Sequence, residues 1–136
     1  MSRRTARKQA FLGLYQSDVT GRPLGATVAR WREYRGDMDE YAVRLLRGVE
    51  AEKDALDGLL TEVSEGWPVH RMGAVERSIL RLGLYEMLHV DDVPPDVAVN
   101  EAVELARGFS GDEAPAFVGG VLRGAEGRVH GGVSHG

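Results

Sequence analysis

An all-α fold is predicted for this chain by three observations. Apolar residues recur at three- and four-residue spacing almost throughout its 136 residues. Strict apolar–polar alternation of the strand kind never persists. Prolines and glycines then cut the periodic pattern into about seven stretches of helical length.

The first helix is expected from about Arg3 to Ser17 and the second from Pro23 to Tyr34, with Gly21, Arg22 and Pro23 punctuating between them. On the second, Leu24, Thr27, Val28, Trp31 and Tyr34 share one face. A third helix fits Asp37 to about Ala51, with Asp37 as N-cap and Met38, Tyr41, Ala42, Leu45, Leu46 and Val49 as its buried stripe. Leu56, Leu59, Leu60 and Val63 continue the period into a fourth, which Gly66, Trp67 and Pro68 end. From Ala74 to Leu88 apolar residues cover most of the circumference, which marks a central helix buried on several sides. Pro94 and Pro95 force a loop. Val99, Ala102, Val103 and Ala106 then form an amphipathic helix ending near Gly108, and Ala114 to about Gly127 the last one.

A chain of this length fits one domain, placed at residues 1–127, with 128–136 as a Gly-rich tail expected to fray. It is 43% hydrophobic and 28% charged, enough for both a core and solubility. There is no cysteine, so disulfides, thiolate metal sites and a Cys nucleophile are excluded, and the cytoplasm is the expected location. No apolar run approaches the ~20 residues of a membrane span, and Met1 to Tyr15 lacks the features of a signal peptide.

Net charge is −4, but its distribution is uneven. Arg3, Arg4, Arg7 and Lys8 precede the first acid, Asp18, whereas Glu86 to Glu113 is rich in Asp and Glu against the single full cation Arg107. On a helical wheel Arg4, Lys8, Phe11 and Tyr15 form one stripe beside Arg3, Arg7 and Leu14. That face is basic first and apolar later, so the first two turns are expected to project past the packed body and present cations to solvent. Cations at a helix N-terminus oppose the macrodipole by a few tenths to about 1 kcal/mol, so local stability does not account for them. Clustered arginines suit phosphate; a merely solvated basic terminus is the alternative.

Catalytic chemistry is not legible. No phosphate-binding glycine loop, dinucleotide fingerprint or nucleophile elbow occurs. Among His70, His89, His130 and His135 only His89 has other potential ligands close by, Asp91 and Asp92, and a hydrated turn before Pro94 explains that trio. Glu101 and Glu104 are read as solvated surface acids. No enzyme, metal or cofactor is expected.

Four blocks occur in order: Arg4-x-x-Arg7-x-x-Ala10-x-x-x-Leu14-Tyr15; Ile79-Leu80-Arg81-Leu82-Gly83-Leu84-Tyr85-Glu86; Val99-Asn100-Glu101-Ala102-Val103-Glu104-Leu105-Ala106; and Phe117-Val118-Gly119-Gly120-Val121-Leu122. Together they resemble the NusB family over residues 3 to 123. The resemblance implies two small packed helical bundles that bind boxA RNA of ribosomal RNA transcripts with the ribosomal protein NusE. It further implies action within the RNA polymerase antitermination complex to suppress premature termination, with no catalysis, as a monomer or a homodimer. It assigns Arg3, Arg4, Arg7 and Lys8 to RNA.

Two departures stand out: Gly119 replaces the family's usual asparagine, and Arg123 takes a position often acidic, where it could add a phosphate contact. Arg81, Tyr85 and Glu86 are candidates for the NusE-facing surface, with an internal salt bridge as the alternative for the two charged ones. Two rival functions remain. One is a NusB-like accessory domain of a ribosomal RNA methyltransferase, disfavoured because no cofactor-binding βα pattern follows. The other is a helical scaffold that binds protein alone.

Overall fold

The computed structural model describes residues 2–134, with side chains described through Val129. Six α-helices and one 3-10 turn make up the fold, and no strand occurs among the described residues. The helices are α1 (Arg3–Thr20), α2 (Leu24–Arg35), α3 (Glu40–Val63), α4 (Ala74–His89), α5 (Pro95–Phe109) and α6 (Ala114–Ser134), with the 3-10 turn at Val69–Arg71.

Helix α1 starts on Ser2, whose side chain accepts from the Thr5 amide, and stops at Gly21, whose φ of 73° places it in the left-handed region. The two helices expected between Asp37 and Val63 are one helix of 24 residues. The apolar stripe lapses over Glu50 to Ala55, but those residues contain neither Gly nor Pro and are mostly exposed, so the backbone runs on as a solvated turn and a half. The N-cap is Asp39, not Asp37: its carboxylate accepts from the Tyr41 amide at 2.8 Å, and its own amide donates to Gln9 Oε1 at 2.9 Å, fastening α3 to α1. Helix α6 runs to Ser134, past Gly127, because no proline interrupts it there and Arg128 pairs with Glu62 of α3. The expected tail from 128 is therefore helical to 134, and the rest of it lies outside the described residues.

Helices α1–α3 form one group and α4–α6 a second, and α4 packs against α1 and α3 as well as α5 and α6, so the buried residues form one continuous core. Ile79, Leu80 and Leu84 have no exposed surface. Gly83 permits the close approach of α5 and α6: a Cβ there would stand 2.9 Å from Leu122 Cδ1 and 3.1 Å from Ala102 Cβ. On α2, Thr27 and Trp31 are buried, but Tyr34, expected on the same stripe, is 69% exposed under the guanidinium of Arg30.

Candidate nucleic-acid interface

The first turns of α1 do not project past the body. Ala6 and Ala10 are wholly buried, and their small side chains bring the helix against α3 and α4 from its second turn. The basic residues consequently meet different surroundings. Arg7 is 6% exposed, and its Nε donates to both oxygens of Glu86 at 2.8 and 2.9 Å, with Nη1 3.7 Å from Glu101. Its expected place on a solvent-facing cationic stripe is corrected: it is an interior residue whose charge is matched by two acids of α4 and α5. Tyr41 of α3 donates its hydroxyl to Glu86 at 2.5 Å. Burial, and then the bond to Glu86, holds that phenol protonated well above its ordinary range.

Arg3 and Arg4 are exposed. Arg3 lies 3.1 Å from Asp92 with its guanidinium 4.3 Å above the Tyr41 ring. Its hydrogen bond to Asp92 raises its own pKa and holds the aspartate below the usual carboxylate range. Arg4 grips Glu101 with Nε at 3.2 Å and Nη2 at 3.0 Å, which raises its pKa, yet its side chain stays 65% exposed. Lys8 is exposed and forms no ion pair among the described residues.

Between α1 and α5 lies a cleft of about 310 Å³ lined by Arg4, Arg7, Lys8, Glu101, Glu104 and Phe109. Glu104 is engaged by Arg107, so Lys8 is the cation with its charge free in this cleft. Phe109 was given no role by the sequence. Its ring is 42% exposed and sits 4.8 Å from that of Phe11 on α1, so an aromatic face lies beside the cations. The available signal was an aromatic residue on the last turn of α5, just after its apolar stripe ends.

Arg81 and Glu86 of α4 are internal, so their expected place on a partner-facing surface is corrected. Glu86 is 1% exposed and held by Arg7 and Tyr41. Arg81 is 9% exposed and donates to both oxygens of Asp57, at 2.7 and 2.8 Å, with Asp18 3.6 Å away. Both lie on a helix surrounded by neighbours, where an unpaired charge is too costly to keep. Tyr85 remains half-buried, stacked on His89 at 4.9 Å and seated on Gly48 of α3. Arg123 is exposed on α6, away from the lining of the α1–α5 cleft. Gly119 is buried in mid-helix, where a Cβ would stand 3.2 Å from Val103, so this helix packs on α5 without an amide at that position. No cluster of three metal-ligating side chains and no helix long and apolar enough to cross a membrane occurs among the described residues.

The model of the NusB family matches residues 4–126. This chain belongs to the NusB family. A transcription antitermination protein NusB from Rubrobacter xylanophilus is 69% identical over 136 residues, covering 100% of this chain and 98% of that protein. The T. maritima NusB structure superposes with a TM-score of 0.83 at 30% identity, over 93% of this chain and 92% of that one. A crystal structure of the antitermination factors NusB and NusE in complex with dsRNA superposes with a TM-score of 0.81 at 28% identity, over 90% and 94% of the two chains. The NusB family is one of transcription antitermination proteins, not of enzymes, and its all-helical fold is the one found here.

Proposed function

We propose that this NusB-family chain binds boxA RNA of ribosomal RNA transcripts together with NusE, and so helps the RNA polymerase antitermination complex read through premature terminators. The observation that carries the reading is the α1–α5 cleft, where exposed Arg4 and Lys8 flank the exposed face of Phe109. Cations for phosphates beside an aromatic ring for a base are the two components of single-strand recognition. A solved complex of NusB and NusE with dsRNA supports RNA and NusE as classes of ligand, and the boxA sequence and single strand are our proposal. In this reading Arg4 exchanges part of its hold on Glu101 for a phosphate, Lys8 contributes a free charge, Arg3 extends the surface and Arg123 adds a contact on α6. Arg7 positions α1 from inside. Tyr85 and the adjacent His89 are the surface-reaching residues of α4 offered to NusE.

The test is RNA binding across a salt series. Each phosphate engaged on a single strand contributes about 0.7 to the slope of log affinity against log salt, so Arg4→Ala and Lys8→Ala should each flatten it by about that amount while the fold melts normally. Neutralisation of Arg3 and Arg4 by acids favours one other reading, a scaffold that binds protein alone. An unchanged slope in both variants would decide for the scaffold.

A further inference from the structure

Away from the α1–α5 cleft, the α2–α3 face carries exposed arginines that form no ion pair within 4.0 Å among the described residues. Tyr41, Arg44 and Arg47 stand on successive turns of α3, and Arg32 and Arg35 on the last turn of α2. All four arginines are exposed. Glu40 stands four residues before Arg44 and Glu50 three after Arg47, yet neither forms an ion pair with it within 4.0 Å. Arg32 and Arg47 line one groove of about 240 Å³ between the two helices, with Glu50 as its acid. Arg35 lies over the Trp31 ring at 4.7 Å.

This face is continuous with the start of α1. The guanidinium of Arg44 lies 5.9 Å from the Tyr41 ring, and that of Arg3 lies 4.3 Å from the same ring. Tyr41 therefore joins the two surfaces, and a line of cations runs from Arg3 through Arg44 and Arg47 to Arg32, with Arg35 one turn further along α2. The last two complement the negative end of the α2 dipole, which accounts for them locally. Arg44 and Arg47, in the first half of α3, have no such local reason. In a protein of net charge −4, a set of exposed arginines of which only Arg3 forms an ion pair among the described residues, with Asp92, is a concentrated exception.

We infer that the α2–α3 face is a second RNA-contacting surface, along which the backbone of a single strand held at the α1–α5 cleft continues over Tyr41 to Arg44, Arg47 and Arg32. This rests on the RNA-binding reading above. Continuity with Arg3 favours a polyanion strand over an acidic protein, because one extended ligand can then occupy both surfaces. Arginine suits the role, since its planar fork donates two bonds to a phosphate.

The experiment compares two single-stranded oligonucleotides, of about 8 and about 16 nucleotides, within the range of single-strand site sizes. Affinities are measured across a salt series for the full chain, for Arg44→Gln/Arg47→Gln and for Arg4→Gln/Lys8→Gln. With the second surface, the longer strand binds wild type with the steeper slope. Arg44→Gln/Arg47→Gln then flattens that slope by about 0.7 for each phosphate no longer engaged and leaves the shorter strand unaffected. Identical binding of the longer strand by wild type and Arg44→Gln/Arg47→Gln, with Arg4→Gln/Lys8→Gln impaired, overturns the second surface and leaves the cleft reading standing. Failure of both variants to alter either strand overturns the cleft reading too. Polyglutamate is titrated as a third probe; its binding by wild type but not by Arg44→Gln/Arg47→Gln, with RNA slopes unchanged, overturns the second RNA surface and reassigns the face to an acidic protein. Unaltered thermal melting identifies each effect as one on binding, as expected for exposed side chains.

Discussion

At the scale of single residues, the most consequential group is the set of buried Arg7 and Glu86 with half-buried Tyr41. Each is polar, each is on a different helix, and each is satisfied only by the others and by Glu101. Removing one partner leaves an uncompensated buried charge, so Arg7→Ala or Glu86→Ala should each destabilise by about 3–5 kcal/mol in urea titrations. Wild-type stability for either variant would show that the pair is not closed in solution. Weaker RNA affinity in Arg7→Ala then reports a displaced α1 and not the removal of a phosphate ligand. The Tyr41 phenol gives a pH signature. Its folded pKa is raised above the ordinary 10.0. Its stabilisation is therefore complete below about 10 and declines as pH rises through the range where the unfolded chain ionises and the folded one does not. Chemical denaturation at pH 9 and at pH 11 should show a larger fall for wild type than for Tyr41→Phe.

At the scale of helices, two glycines separate two kinds of contact. A Cβ on Gly48 would run into Cζ of Tyr85, the outer end of a half-buried ring that can swing away. A Cβ on Gly83 would meet Leu122 and the Cβ of Ala102, which sits on the backbone of α5 and cannot yield without moving that helix. Gly83→Ala is thus expected to cost about 1–3 kcal/mol, as overpacked cores do. Gly48→Ala should instead disturb the Tyr85–His89 stack, seen as a changed near-ultraviolet dichroism signal, and weaken NusE binding. The reverse pattern would mean that Tyr85 is the more tightly held of the two. The N-cap of α3 adds a smaller effect, about 1 kcal/mol for Asp39→Ala.

At the scale of the whole molecule, α4 is the element every other part leans on, apart from the peripheral α2. Leu80 at its centre has no exposed surface, and Leu80→Ala should cost about 2–5 kcal/mol and lower Tm clearly. Intact stability with abolished binding would place Leu80 at an interface instead. RNA and NusE are expected to couple, since the cleft cations and the Tyr85–His89 surface are separate places on one continuous core and need not compete for one patch. Coupling of about 1–3 kcal/mol must be reciprocal, so titration calorimetry should find each ligand tightened by the same factor by the other. Glu86→Arg, at a residue that the sequence alone offers to the NusE-facing surface, is expected instead to break the fold, since it places a cation beside buried Arg7, and a lowered Tm checks it.

The all-α class, the central helix, the breaks at Gly21–Pro23 and Gly66–Pro68 and most of the core were determined by the sequence alone, because helical periodicity and backbone-restricting residues act locally, whereas of the two prolines expected to form a loop Pro95 opens α5 instead. The family was also legible there, through four ordered blocks spanning nearly the whole chain. Which charges face water was not. Arg3, Arg4, Arg7 and Lys8 fall on adjoining stripes of a helical wheel, and only the packing of α1 on α3 and α4 makes Arg7 interior, pairs Arg4 with Glu101 and leaves Lys8 free. Arg81 and Glu86 were likewise assigned by partners distant in sequence, Asp57 and Arg7. A charge's role depends on what stands within a few ångströms of it, and for residues separated by tens of positions along the chain that neighbourhood exists only once the helices have packed.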